Sequence, residues 1–315
     1  MSHSTTDVHI AAIEYELPST SWTLEELAVQ GRIRSPVEAL RTFGFERAWV
    51  ADDTGERLAT AAVERLLENA AVDPGTIDVV LYAGATAASH ATRSGGLGAF
   101  TYPAAKLQYD FGFVNARPIG ISQSGCLGLM TAISLGRALL TADASIARVL
   151  CVSVDVLPAG STREILYNVI SDGACALLLE RGHGPNRIVA ERQITKGYYW
   201  DCEALGNEIV AAYFPTARTI IGDTLAAAGL TQDDVAVIVP HNVSRRSWDI
   251  LLQLTGLDAE RLYADNIALK AHVISGDNFI NLADAERAGR LRRGDRLLLF
   301  NFGFGASWAC MLVEH

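Results

Sequence analysis

An order of elements that occurs twice places the strongest constraint on this chain. A helical pattern over 55–69, apolar at Leu58, Ala62, Val63, Leu66 and Leu67, runs through Asp73-Pro74-Gly75 into the apolar strand 77–82. About 157 positions later, a helix over 219–228 runs through Thr231-Gln232-Asp233-Asp234 into a strand over 235–239. Arg296-Leu297-Leu298-Leu299-Phe300 then echoes Arg148-Val149-Leu150-Cys151-Val152, and Ala309-Cys310-Met311-Leu312-Val313-Glu314 echoes the strand 174–180. Three echoes in one order predict a duplicated α/β unit, with halves over 1–183 and 184–315. Helices alternating with strands cover sheets, and sites in such folds gather where loops leave the carboxyl ends of strands.

Composition narrows the function classes. With 315 residues, half of them apolar, the chain can bury a large core. It holds no uncharged run of 18 apolar residues, and its first residues lack the basic and apolar regions of a signal peptide, so a cytoplasmic, non-membrane protein is expected. A net charge of −10 argues against nucleic acid as the main partner. Five cysteines cannot all pair and show no metal-ligand spacing, which predicts reduced thiols and no metal site. No phosphate loop and no Gly-x-Gly-x-x-Gly after a strand implies a cofactor.

One cysteine stands apart. Ser124-Gly125-Cys126-Leu127-Gly128 places it among small residues at the mouth of an apolar helical run containing Leu129, Met130, Ile133 and Leu135. A helix N-terminus favours the thiolate, the reactive form of a cysteine. Read alone, the stretch fits a nucleophile and a buried core thiol equally well. His241 follows the strand 235–239 directly, a placement suited to proton transfer, although a structural histidine is the commoner reading. The loop Lys270-Ala271-His272-Val273-Ile274-Ser275-Gly276-Asp277-Asn278 offers a second histidine and two further polar candidates, any of which could serve a turn or a helix cap.

Together these residues resemble the thiolase superfamily, and most closely its β-ketoacyl-acyl-carrier-protein synthase III group. Ser-Gly-Cys126-Leu-Gly is similar to that group's acyl-accepting segment, and Ser171-Asp172-Gly173-Ala174 to its Gly-Asp-Gly-Ala turn. Val239-Pro240-His241 matches its Val-Pro-His with the catalytic histidine. Phe302-Gly303-Phe304-Gly305-Ala306-Ser307-Trp308 matches its closing glycine-rich signature. The resemblance implies a five-layered αβαβα architecture, an S-acyl-Cys126 intermediate, substrate contacts at Phe302 and Gly305, and a homodimer.

The departures bear on substrate and chemistry. Where the group has a catalytic asparagine, ungapped placement puts His272, with Asn278 and Asp277 as rival third members. A Cys-His-His set resembles elongating condensing enzymes, in which two histidines donate hydrogen bonds to the extender's thioester carbonyl. It also fits a Cys-His acyltransferase. The tryptophan and arginine that clamp coenzyme A in relatives correspond to Val37 and Ala159, which favours an acyl-carrier-protein thioester over a coenzyme A thioester as donor. Arg246, with Arg245 beside it, falls where relatives dock their carrier protein, although an arginine pair is as often a solvated surface. The segment 86–103 reads longer than in relatives and 192–212 shorter, and Tyr198-Tyr199-Trp200 is a candidate pocket wall. The expected activity is acyl transfer from Cys126, by slight preference to a malonyl thioester in a decarboxylative condensation of specialised metabolism. Its alternatives are transfer to an amine or hydroxyl of a small molecule, and a non-catalytic partner subunit.

Overall fold

The computed structural model describes residues 7–52, 55–85, 101–166 and 168–315. Its framework runs β1 (Val8–Glu16), α1 (Gly55–Asn69), β2 (Val79–Ala83), α2 (Pro103–Phe111), β3 (Arg117–Ile121), α3 (Gly128–Ala142), β4 (Arg148–Asp155) and β5 (Gly173–Arg181). It continues with β6 (Arg187–Thr195), α4 (Gly206–Ala227), β7 (Val237–Val239), α5 (Arg245–Thr255), α6 (Asp277–Arg287), β8 (Arg296–Gly303) and β9 (Ser307–Glu314). The nine strands pair in the order β7-β8-β9-β6-β1-β5-β4-β2-β3.

The duplication is visible in the pairing. β2 runs parallel to β4, β4 antiparallel to β5 and β5 antiparallel to β1. In the same sense β7 runs parallel to β8, β8 antiparallel to β9 and β9 antiparallel to β6. The two sets join where His9 of β1 meets Arg187 of β6, and position 183 lies in the turn between β5 and β6.

Side-chain alternation sorts the core into layers. Along β4, Val149 and Cys151 enter an inner cluster while Leu150, Val152 and Val154 enter an outer one beneath α1. Along β8, Leu297 and Leu299 join that same inner cluster, and Leu298 and Phe300 join a second outer one with α4 and α5. The inner cluster also takes Leu129, Met130 and Ile133 of α3 and Phe279, Ile280 and Leu282 of α6. Helix layers thus lie outside, between and outside the two sheet halves, giving the αβαβα arrangement. Strands buried on both faces read as continuous apolar runs, as β4 and β8 do. Residues 125–142 are long and apolar enough to cross a membrane by length and composition, but the buried side of α3 packs between the sheets. Gly136 permits this approach, because a Cβ there would stand 2.7 Å from the Leu179 side chain.

Between β4 and β5, the Ser171-Asp172 turn acts as an anchor. The buried Arg163 guanidinium forks onto Asp172 at 2.6 and 2.8 Å, and the same carboxylate accepts from the backbone N–H groups of Ala51 and Leu157. Removing one partner of a buried pair strands the other charge. Arg163→Met is therefore expected to cost about 3–5 kcal/mol of unfolding free energy, measured by urea denaturation. A loss below about 1 kcal/mol, typical of an exposed pair, would contradict this account.

Candidate active site

Cys126 sits in the single 3₁₀ turn Gly125–Leu127 immediately ahead of α3. Two glycines bring the closing segment against it. A Cβ on Gly303 would lie 3.0 Å from the Cys126 nitrogen, and one on Gly125, at φ +52°, would lie 3.2 Å from the Phe304 carbonyl. The Asn301 amide donates to the Cys126 carbonyl at 3.0 Å and to Asn278 Oδ1 at 3.0 Å, which fixes the loop from below.

His272 approaches from the other half. Its backbone N–H donates to Val169 and its carbonyl accepts from Ser171, both at 2.9 Å, so the anchored Ser171-Asp172 turn carries it. Its Nε2 lies 3.5 Å from Cys126 Sγ, and its Nδ1 lies 2.5 Å from Asp277 Oδ2. Asp277 opens α6, and its carboxylate also accepts from the backbone N–H groups of Val273 and Asn242 at 2.6 and 2.5 Å. A ring nitrogen facing a carboxylate carries the proton, so in neutral His272 the Nε2 lone pair faces the thiol. Burial opposes charging this ring, but Asp277, reinforced by Cys126, outweighs it and holds His272 well above its ordinary 6.5.

His241 is placed differently. It is completely buried and does not line the cavity that reaches Cys126. Its ring centre stands 6.2 Å from that of His272. Its Nδ1 lies 3.1 Å from the Phe300 carbonyl and must donate to it, which leaves Nε2 without a proton and without a partner among the described residues. Burial first, then the charge of His272, push it down to about 3. Asn278 is also committed. Its amide donates to the carbonyls of Val239 and Phe300 at 2.8 and 3.1 Å. Cys126, His272 and Asp277 therefore form one hydrogen-bonded chain, with His241 and Asn278 packed behind it.

A cavity of about 470 Å³ opens on Cys126 and His272. Phe302 lines it and Gly305 does not. Its walls are mainly apolar, including Leu157, Ile170, Tyr213, Phe214, Ile274 and Phe304. Ser244 and Ser247 reach it from the start of α5, and Arg245 and Arg246 lie exposed on that same turn, Arg245 paired with Asp249 at 3.0 Å. Tyr198 and Trp200 are instead exposed away from it. The expectation of a longer 86–103 segment falls mostly outside the described residues. Sequence reasoning missed Tyr213, Phe214 and Asn301. The first two lie one helical turn beyond Ile209 and Val210, which also line the cavity, but Pro215 masks that periodicity.

Comparison with known proteins agrees with this architecture. Residues 225–315 match the family model described as the 3-oxoacyl-[acyl-carrier-protein] synthase III C terminal. The β-ketoacyl-[acyl-carrier-protein] synthase III of Nitratidesulfovibrio vulgaris is 29% identical over 318 aligned positions, covering 89% of this chain and 94% of that protein. The 3-oxoacyl-[acyl-carrier-protein] synthase III structure from Aquifex aeolicus superposes with a TM-score of 0.85 at 20% identity, covering 98% of this chain and all of that one. The acyltransferase ChlB3 superposes with a TM-score of 0.86 at 21% identity, over 98% and 97% of the two chains. Fold and relatives define an acyl-transferring enzyme of the thiolase superfamily. Over most of its length the chain is similar to β-ketoacyl-acyl-carrier-protein synthase III proteins, and its last third carries the matching C-terminal domain.

The two histidines give opposite pH signatures. His241 refuses, when folded, a proton that the unfolded chain binds between pH 6.5 and about 3, so its contribution to stability falls as pH drops through that window. The slope from one such group reaches about 1.4 kcal/mol per pH unit. His272, raised, adds stability that is complete below 6.5 and lost as pH climbs through its folded value. His241→Gln should flatten the pH dependence of the unfolding free energy between pH 6.5 and 4. An unchanged slope in urea titrations would show that His241 is protonated in the folded protein.

Proposed function

We propose that this enzyme loads an acyl group from a thioester onto Cys126 and passes it to a hydroxyl or amine of a small molecule without decarboxylation. The observation that carries this reading is the Cys126–His272–Asp277 chain, with Nε2 facing sulfur and Nδ1 held by a carboxylate. His272 takes the thiol proton, Cys126 Sγ attacks the thioester carbonyl, and the donor's C–S bond breaks. The departing sulfur leaves as a thiol with the proton His272 returns. In the second half-reaction the acceptor's O–H or N–H gives its proton to Nε2 as its oxygen or nitrogen bonds to the acyl carbon, and the Cys126 sulfur recovers that proton on leaving. In this reading the backbone N–H of Cys126 stabilises the oxyanion.

Decarboxylative condensation with a malonyl thioester requires two donors on the extender's carbonyl. His241 spends its only proton on Phe300, and Asn278 spends its amide on Val239 and Phe300. The names of the relatives favour condensation all the same, and that reading stands as the second one. The donor suggested by those names is an acyl-carrier-protein thioester, whose acidic surface suits the exposed Arg245 and Arg246 beside the cavity. A homodimer is proposed from kinship.

Intact-protein mass spectrometry with acyl carrier-protein and coenzyme A thioesters tests the first half-reaction. The wild type should gain one acyl mass, Cys126→Ala none, and His272→Ala should load about 10²–10⁴ times more slowly. His241→Gln should still load. Loss of loading in His241→Gln with His272→Ala unaffected would reverse the assignment of the two histidines. Carbon dioxide release from labelled malonyl thioester would favour condensation.

A further inference from the structure

Of the polar side chains that line the cavity outside the transfer chain, Ser244 and Ser247 bond each other and Asn168 accepts from the Ser244 backbone, which leaves Tyr213. Tyr213 lies on α4, one helical turn after Ile209, with its ring edge-on to Phe214 at 4.8 Å, Phe302 at 5.1 Å and Phe300 at 6.2 Å. These rings fix its position from three sides. The side chain lines the cavity, yet its hydroxyl has no hydrogen-bond partner among the described residues. It is not sealed away either, because it is absent from the fully buried unpaired atoms that include His241 Nε2 and Trp308 Nε1. Removal from bulk water alone holds the phenol above its ordinary value, with no charge or hydrogen bond contributing. A phenylalanine would satisfy this aromatic cluster, so the hydroxyl adds nothing to the packing and is free to bond a polar group that enters the cavity.

We infer that Tyr213 is a specificity-determining residue that hydrogen-bonds an oxygen carried by the acyl chain, so that the enzyme selects oxygenated acyl groups, hydroxylated or keto-bearing, over plain hydrocarbon chains of equal length. This rests on the S-acyl-Cys126 reading. Tyr213 packs on Phe302, which adjoins Gly303 at the back of the Cys126 loop, so a chain attached to sulfur and lying along Phe302 passes the phenol. Among the described lining residues, Tyr213 is the only phenol, and the wall around it is aromatic and aliphatic. A site that expects a hydrogen bond penalises the analogue lacking one, because its own polar group is then left unpaired.

The test is competitive loading of Cys126, read by intact mass, with octanoyl N-acetylcysteamine thioester against its chain-hydroxylated and keto-substituted analogues. In the wild type at least one oxygenated analogue should load about tenfold faster than octanoyl, the effect of one good neutral hydrogen bond. In Tyr213→Phe that ratio should fall to near unity. Thermal melting checks the variant's fold, and its midpoint should hold or rise, since no intramolecular hydrogen bond is lost. Equal loading of all analogues by the wild type, or a preference that survives in Tyr213→Phe, overturns the inference while leaving the acyl-enzyme intact. A variant altered only in transfer from preloaded Cys126 also overturns it and assigns the phenol to the acceptor. Absence of loading from every thioester overturns the acyl-enzyme reading and this inference together.

Discussion

Two segments distant in sequence meet on one carboxylate. Asp277 accepts from the Asn242 and Val273 backbones and from His272, so a single buried charge ties the loop after β7, the histidine loop and the first turn of α6. A buried carboxylate without such donors would cost several kcal/mol. With them, it becomes the fixed point from which the His272 ring is aimed at sulfur. Everything that aligns the site then has to deliver Cys126 to that point, which is the work of the opposite half of the fold.

Delivery depends on close backbone contact. Cys126 comes from the amino end of α3, in the layer between the sheets, while the closing segment comes from the end of β8. Gly125 and Gly303 let them touch, and Asn301 bonds the Cys126 carbonyl across the gap. A second buried carboxylate, Asp155 at the end of β4, accepts from the Ala85 and Ser275 backbones and so holds a cavity wall to the histidine loop. Buried carboxylates thus do on both sides what side-chain packing alone cannot, namely fix loops to within hydrogen-bond tolerance.

How much of this could be read beforehand follows from what leaves a local trace. The helix over 55–69 was legible to the residue because its apolar stripe is clean. The first part of α4 was hidden by Pro215, and β3 by Pro118 and Gly120, which suit an edge strand and weaken a strand pattern. β6 carries Glu191, Arg192 and Gln193 and reads as a polar connector until β9 pairs with it. Cys126 announced itself through its glycines. The choice among His272, Asp277 and Asn278 could not be made from spacing, since all three lie in one short segment and only the three-dimensional turn decides which side chain faces sulfur and which faces the core.

Keeping His241 while its protons are committed elsewhere has a physical sense. Its ring fills the space between Trp248, Phe300 and His272, so a small replacement would leave a cavity directly behind the working imidazole. A neutral ring there also matters electrostatically. A second cation about 6 Å from His272 would oppose the imidazolium that Asp277 and Cys126 favour, and burial prevents it from forming. The pair therefore divides labour by environment. One histidine borders the cavity with a ring nitrogen facing Cys126, and the other, sealed in the core, keeps the first in place by remaining uncharged.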